Sequence, residues 1–100
     1  MNVIMQQYPP SFCRLVKTNI GDLEDRATER KTIRTGATTD PERRKREYEY
    51  DGYTGTMYYA ETLNMKRAED RLLAICHCRE NEQRKSNAKS EPGYVYVIQS

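Results

Sequence analysis

The sequence has little of the material that usually builds a small protein core. It contains no tryptophan and one phenylalanine, and apolar residues make up only 36% of its 100 positions. Eight tyrosines supply most of the aromatic area instead, and each buried tyrosine needs a hydrogen-bond partner for its hydroxyl. A chain of this length holds one domain with one modest core. A small, partly open sheet suits such a core better than a closed sandwich.

Other absences argue against several classes of protein. No stretch approaches the roughly 20 apolar residues of a membrane helix, and the start, MNVIMQQYPP, lacks the features of a secretory signal. Three cysteines, an odd number, do not make a closed disulfide framework. We therefore expect no membrane partner and an intracellular location, cytoplasmic or nuclear. The charge is nearly balanced, with 17 basic and 15 acidic residues, so net charge alone does not indicate nucleic-acid binding.

Breakers and cap residues divide the chain into an N-terminal arm, residues 1–10, and a single domain, residues 11–100. Strand composition between breakers predicts four strands, at 11–18, 31–37, 54–62 and 94–99. The polar stretch between the first two strands contains Gly21, a breaker, and is interpreted as a loop or a frayed helical turn.

Two helices are predicted from their starts. Asp40 or Thr39 caps the first helix, with Pro41 at its first position, and Asn64 caps the second, which runs over residues 65–80. The order is strand, strand, helix, strand, helix, strand. The fold class is therefore α+β: a small, mainly antiparallel mixed sheet flanked by two helices.

The first helix has one arginine whose place differs from that of its neighbours. Three opposite-charge pairs spaced four residues apart predict a solvent-exposed face: Glu42–Arg46, Arg43–Glu47 and Lys45–Glu49. Arg44 belongs to none of them and shares its side of the helix with Pro41 and Tyr48. We therefore expect Arg44 to point inward or along the rim of the sheet and to have a functional role. The alternative is an arginine whose stem covers apolar surface while its charge reaches water.

The second helix places an acid among apolar residues. Its apolar stripe consists of Met65, Ala68, Leu72, Leu73, Ile75 and Cys76. Glu69 falls inside this stripe, and a buried, unpaired carboxylate costs several kcal/mol. Glu69 must therefore meet a cation, a metal, a strong donor or a water-filled cleft. Two interpretations stay open: a structural salt bridge with Arg44, or an acid in an active site or binding cleft.

Two further segments contain groups that bind ligands in other proteins. Cys76, His77 and Cys78, with Cys13, are possible metal ligands, but their spacing on a helix favours a core Cys76 with exposed His77 and Cys78. The polar loop NEQRKSNAKS contains basic residues that can contact a phosphate backbone, although a solvated loop is the simpler interpretation. These basic residues are Arg84, Lys85 and Lys89.

The motifs of the middle half of the chain resemble the GIY-YIG nuclease superfamily. GATTDPERRKREY, then GTMYYAET and AEDRLL, is similar to a glycine-ending strand, a helix-opening turn G-x-T-x-N-P-x-x-R, another strand, and a helix with an acid before a leucine-rich turn. Asp40 stands where the turn usually has asparagine, and Tyr48 occupies a slot often filled by histidine. The other matching positions are Gly36, Thr38, Pro41, Arg44, and Glu69 before Leu72 and Leu73.

The sequence departs from the family pattern in two places. The family's first strand carries a G-x-Y element, and here the best match, GYVYVI with Tyr94 and Tyr96, comes last. Either the domain is circularly permuted, with this strand filling the first strand's place, or FCRLVKT is the first strand without its tyrosine. The tyrosine expected just before Gly36 is also absent. In the family it helps to activate or position water, so its absence bears on turnover.

The resemblance implies metal-dependent phosphodiester hydrolysis of nucleic acid, either DNA or RNA. Glu69 would hold Mg²⁺, Arg44 would neutralise charge on the phosphoryl group, and Tyr96, or else Tyr94 or Tyr48, would orient or deprotonate water. One alternative is a catalytically inactive module of the same fold that binds nucleic acid. Its contacts would be Arg34, Arg44, Arg84, Lys85 and Lys89. The other is a protein-interaction domain with a structural Arg44–Glu69 pair. Oligomeric state is not predicted.

Overall fold

The computed structural model describes residues 13–78 and 85–100, so the N-terminal arm lies outside the described residues. Within the described ranges, four strands form one mixed sheet and three helices pack on it. The elements are β1 (Cys13–Lys17), α1 (Ile20–Ala27), β2 (Thr32–Thr38), α2 (Pro41–Tyr50), β3 (Gly55–Thr62), α3 (Met65–Ile75) and β4 (Gly93–Gln99). The predicted α+β class with a small mixed sheet is confirmed.

The last strand of the chain lies inside the sheet. The strand order is β1-β3-β4-β2, with β1 parallel to β3 and β4 antiparallel to both β3 and β2. In this register Tyr96 of β4 lies opposite Gly36 of β2 on one side and Tyr59 of β3 on the other. The pairing therefore places the tyrosine of the G-x-Y element next to the glycine of the predicted turn motif.

The segment expected to be a loop or a frayed turn forms helix α1. Asn19 caps it, since its side-chain oxygen accepts a hydrogen bond from the Asp22 N–H at 2.8 Å, and Leu23 and Ala27 are fully buried. Burying a leucine side chain contributes about 1.5–3 kcal/mol. A glycine inside a helix costs only about 1 kcal/mol relative to alanine, so Gly21 does not prevent the helix.

Both predicted helices begin where their cap residues indicate. The side chain of Asp40 accepts from the Arg43 N–H at 3.1 Å, and that of Asn64 accepts from the Arg67 N–H at 3.0 Å. Helix α3 ends at Ile75, before the predicted end at residue 80. The two capping bonds fix the starts of the helices that carry the predicted site.

The sheet carries one apolar cluster on each face. Alternate residues of β4 contribute to both clusters, as the strand period of two requires. The cluster under α2 contains Ile33, Tyr48, Met57, Tyr96 and Ile98, and the cluster under α1 and α3 contains Leu23, Ala27, Ala60, Leu72, Val95 and Val97. Helices α2 and α3 therefore bring their side chains to the sheet from opposite faces.

The cysteine segment after α3 differs from expectation. Cys76 and Cys78 are joined as a disulfide with their Cα atoms 5.2 Å apart, and both are half-buried, whereas His77 between them is exposed as expected. The prediction of a core Cys76 beside an exposed Cys78 is therefore replaced by two similar, paired cysteines. Across residues 13–78 and 85–100, the helices are too short and too polar to cross a membrane.

Candidate functional site

Two buried tyrosines lie at the centre of the site. Tyr96 on β4 and Tyr48 on α2 keep only 3% and 8% of their surface exposed, and their hydroxyl oxygens are 2.6 Å apart. The rings meet edge to face with centroids 5.8 Å apart. Each phenol has one hydrogen to donate. Because one hydroxyl donates to the other, the accepting hydroxyl keeps its own hydrogen for a further acceptor.

Gly36 makes room for this pair. A Cβ atom at position 36 would overlap the hydroxyl oxygen and Cζ of Tyr96. The missing side chain lets the Tyr96 ring lie across β2 and reach Tyr48 on α2. The close approach of the Tyr96 ring thus explains why position 36 of the turn motif has no side chain.

Arg44 lies one helical turn before Tyr48 and is half-buried. Its side chain is 39% exposed, and its Nη1 lies 3.3 Å from a carboxylate oxygen of Glu47. Its Nε is buried without a hydrogen-bond partner among the described residues. Its positive charge acts on both Glu69 and Tyr96, where it opposes the rise in pKa that burial causes. Arg44 therefore forms an ion pair with Glu47, and its charge also acts on Glu69 and Tyr96.

Glu69 lies inside the apolar stripe of α3, as the helical wheel predicts, and is 5% exposed. The Ser86 hydroxyl donates a hydrogen bond to its carboxylate. Burial, and to a smaller extent the neighbouring Asp70, raises the pKa of Glu69. The Ser86 hydrogen bond and the charges of Arg44 and Lys66 act in the opposite direction. Among the described residues no direct ion pair joins Glu69 to Arg44, so the structural salt bridge is not the arrangement found. The carboxylate instead meets a strong donor, with a cation near enough to act on it.

Burial also decides what the Tyr96 hydroxyl can do. Burial raises the pKa of Tyr96 well above its ordinary value of 10.0, and the adjacent Tyr48 raises it further. A phenol is neutral near pH 7 in any case, and this rise makes Tyr96 a still weaker acid, so its hydroxyl acts as a hydrogen-bond donor or acceptor.

Of the four predicted catalytic residues, Tyr48 and Tyr96 are in direct contact, and Arg44 lies one helical turn before Tyr48. Arg44 and Tyr48 come from α2, Glu69 from α3 and Tyr96 from β4. Arg44 and Glu69 both act electrostatically on the Tyr96 hydroxyl, although their helices pack on opposite faces of the sheet. The two phenol hydroxyls are in direct contact, and the guanidinium and the buried carboxylate act on Tyr96 through their charges.

The residues predicted to bind nucleic acid fall into two groups. Arg34 is half-buried on β2, where its Nη1 donates to the Tyr53 hydroxyl at 3.0 Å and its guanidinium carbon lies 5.8 Å from the centre of the Tyr48 ring. It therefore lines the same face as the tyrosine pair. Lys85 and Lys89 are exposed on the segment that leads to β4, and Arg84 lies outside the described residues.

Ser86 is the residue of the site that the sequence analysis missed. It is 5% exposed, and its N–H and hydroxyl both donate to carboxylates of α3. Ser86 lies 17 residues after Glu69 in the chain and belongs to no recognisable motif. Its contacts with α3 join residues far apart in the sequence, and no local pattern predicts such contacts.

The donor set limits the kind of metal that the site can hold. In the part of the chain that the structure describes, no three His, Cys, Asp or Glu side chains are grouped to bind a metal ion. Mg²⁺, however, is usually held by one or two carboxylates together with water and substrate phosphates. Glu69 fits that weaker requirement, and a metal held by protein ligands alone does not fit.

Comparison of the chain with protein-family models, with curated proteins and with solved structures finds no match. The resemblance to the GIY-YIG superfamily therefore stays a prediction. It is carried by the sequence motifs, and the positions of Arg44, Glu69, Tyr48 and Tyr96 are the structural facts against which it can be judged.

Proposed function

We propose that this chain hydrolyses phosphodiester bonds of nucleic acid in a metal-dependent, GIY-YIG-like reaction. One observation carries the proposal: the buried hydroxyls of Tyr48 and Tyr96 lie 2.6 Å apart, one helical turn from the partly exposed Arg44, and the charges of Arg44 and Glu69 both act on Tyr96. Perturbed ionisable groups gathered around one polar centre are typical of functional sites. A role confined to folding would not require a guanidinium, a carboxylate and two phenols at one place.

The position of β4 supports the permuted form of the resemblance. The strand that carries the G-x-Y element pairs with β2, and its Tyr96 lies opposite Gly36. β1, the alternative first strand, pairs with β3 on the side of β3 away from β4. A last strand in this central position can supply the tyrosine that a first strand supplies in the family.

The residues of the site suit the charge changes of the reaction. A water oxygen attacks phosphorus, the bond to the leaving oxygen breaks, the water gives up one proton and the leaving oxygen takes one up. Negative charge grows on the phosphoryl oxygens meanwhile, and Arg44 would neutralise it. The Arg44 side chain is 39% exposed, so part of it is open to a phosphoryl group.

The tyrosine pair and Glu69 would complete the site. The free O–H of the Tyr48–Tyr96 pair would donate to the attacking water or to the phosphate and fix its position. Mg²⁺ bound at Glu69 would supply Lewis-acid stabilisation of the phosphate and the leaving oxygen. Lys85 and Lys89, both exposed, would hold the nucleic-acid backbone.

The alternative proposal is a module that binds nucleic acid without turnover. Position 35, just before Gly36, is threonine where the family has tyrosine, and its hydroxyl donates to the main-chain oxygen of Tyr96 at 2.7 Å. Thr35 is therefore committed to the sheet and cannot replace the missing phenol. Binding through Arg34, Arg44, Lys85 and Lys89 would then be the whole activity, and its affinity would fall steeply with salt.

A cleavage assay separates the two proposals. Supercoiled plasmid DNA and a labelled RNA are incubated with the purified chain and Mg²⁺, Mn²⁺ or no metal. We expect metal-dependent cleavage of at least one substrate, abolished by Arg44→Ala and by Glu69→Ala. Arg43→Ala removes an exposed arginine of the same helix and should retain activity. Intact DNA and RNA under all conditions, with salt-sensitive binding, would contradict hydrolysis and favour the binding module.

A further inference from the structure

Ser86 is held by hydrogen bonds at every polar atom. Its hydroxyl donates to Glu69 and its N–H donates to Asp70. Its carbonyl oxygen accepts from the Lys66 ammonium at 3.0 Å, and its hydroxyl oxygen accepts from the Ala88 N–H at 2.9 Å. Three of these four partners lie on α3, so these hydrogen bonds attach the chain around Ser86 to that helix.

These bonds fix the direction of the serine hydroxyl. A serine hydroxyl has one hydrogen and two acceptor positions. The Ala88 N–H occupies one acceptor position, and the hydrogen points to Glu69. The result is a short chain of donors, from Ala88 through Ser86 to the carboxylate, in which each bond polarises the next. Turning the hydroxyl away would leave Glu69 without its direct donor.

We propose that Ser86 is a positioning residue, which fixes the orientation of the Glu69 carboxylate. Ser86 acts through Glu69 and contacts no reacting atom. The catalytic consequence rests on the proposed function, whereas the orientation of Glu69 does not. The same segment carries exposed Lys85, so the segment that would bind phosphate through a lysine also holds the acid in place through Ser86.

The orientation is tested by NMR on the full chain with ¹³C-labelled glutamate. We expect a slowly exchanging Ser86 hydroxyl proton and a carboxyl resonance of Glu69 that shifts in Ser86→Ala. Ser86→Thr keeps a hydroxyl and should restore the resonance toward its wild-type position. Ser90→Ala removes an exposed serine of the same segment and should leave the resonance unchanged.

The catalytic consequence is tested by kinetics on the same variants. Loss of a residue that orients a catalytic ligand typically lowers activity or metal affinity by about 10- to 100-fold. We expect Ser86→Ala to lower kcat by an amount in this range with little change in KM, and Ser86→Thr to retain most of the activity. If Ser86→Ala does not fold, Ser86→Cys replaces it, because a thiol has similar volume but is a weak donor.

The two readouts separate failure of this inference from failure of the proposed function. An unchanged Glu69 carboxyl resonance in the variant without the hydroxyl would overturn the positioning role, whatever the activity. Wild-type kcat in that variant would overturn it as well. Absence of cleavage by the wild-type chain would remove the proposed function, and the carboxyl resonance would still decide whether Ser86 orients Glu69.

Discussion

The hydroxyl oxygens of Tyr48 and Tyr96 lie 2.6 Å apart across 48 residues of sequence. This contact joins α2 to an inner strand of the sheet and gives each phenol a hydrogen-bond partner in a core that has no tryptophan and one phenylalanine. The abundance of tyrosine thus has a structural counterpart at the site, where two of the eight form one polar unit inside an apolar cluster.

The first prediction concerns this tyrosine pair. Tyr96→Phe leaves the buried Tyr48 hydroxyl without its partner and should lower the free energy of unfolding by about 1–3 kcal/mol. Adding Tyr48→Phe removes the unsatisfied group, so the double variant should be less destabilised than the sum of the single variants. Urea denaturation of the four proteins measures this coupling. Strictly additive effects would show that the two hydroxyls do not depend on each other.

The second prediction concerns Gly36. Gly36→Ala puts a methyl group where the Tyr96 ring lies, and overpacking of this kind costs about 1–3 kcal/mol. Thermal or urea denaturation should show that loss. Gly21→Ala is the matched control, because Gly21 is exposed in α1 and alanine favours a helix by up to about 1 kcal/mol. Equal effects of the two substitutions would contradict the steric role assigned to Gly36.

The third prediction is a pH dependence that originates at Glu69. Burial raises the pKa of Glu69 in the folded chain above its ordinary value of 4.5. Below the ordinary pKa the carboxyl is protonated in both states. As the pH rises, the unfolded chain releases its proton first, so the stability that Glu69 contributes is lost by the time the pH passes the folded pKa.

Glu69→Gln removes this titration while keeping a hydrogen-bond acceptor for Ser86. The free energy of unfolding of the variant, measured relative to wild type, should therefore rise as the pH increases from the ordinary pKa of 4.5 through the raised pKa of the folded chain. Urea denaturation at several pH values measures the difference. A difference that is constant with pH, or that moves in favour of wild type, would contradict the burial assigned to this carboxyl.

Much of the fold follows from local sequence signals. Caps and breakers predicted the starts of α2 and α3, and three strands lie within one residue of their predicted ranges, because these boundaries depend on neighbouring residues. Helix α1 was missed because its stability comes from burying Leu23 and Ala27 against the rest of the domain. The position of β4 between β3 and β2 likewise depends on strand pairing across the sheet, and local sequence patterns do not predict that pairing.

The candidate site likewise contains some residues whose places follow from local sequence patterns and others whose places depend on tertiary contacts. The partly buried place of Arg44 and the buried place of Glu69 could be predicted because each breaks the pattern of its own helix, although Arg44 also pairs with Glu47. Ser86 could not be predicted, since its partner is remote in sequence. The rise in the pKa of Tyr96 could not be predicted either, because it results from burial and from the neighbouring Tyr48.

The most direct test of the account is the pKa of Glu69, measured by NMR titration of its carboxyl carbon in wild type, Arg44→Ala and Arg43→Ala. The Arg44 charge acts to lower this pKa, so Arg44→Ala should raise it. Arg43→Ala, which removes an exposed arginine of the same helix, should change it less. An unchanged Glu69 pKa in Arg44→Ala, or an equal rise in both variants, would show that the guanidinium and the carboxylate do not share a site.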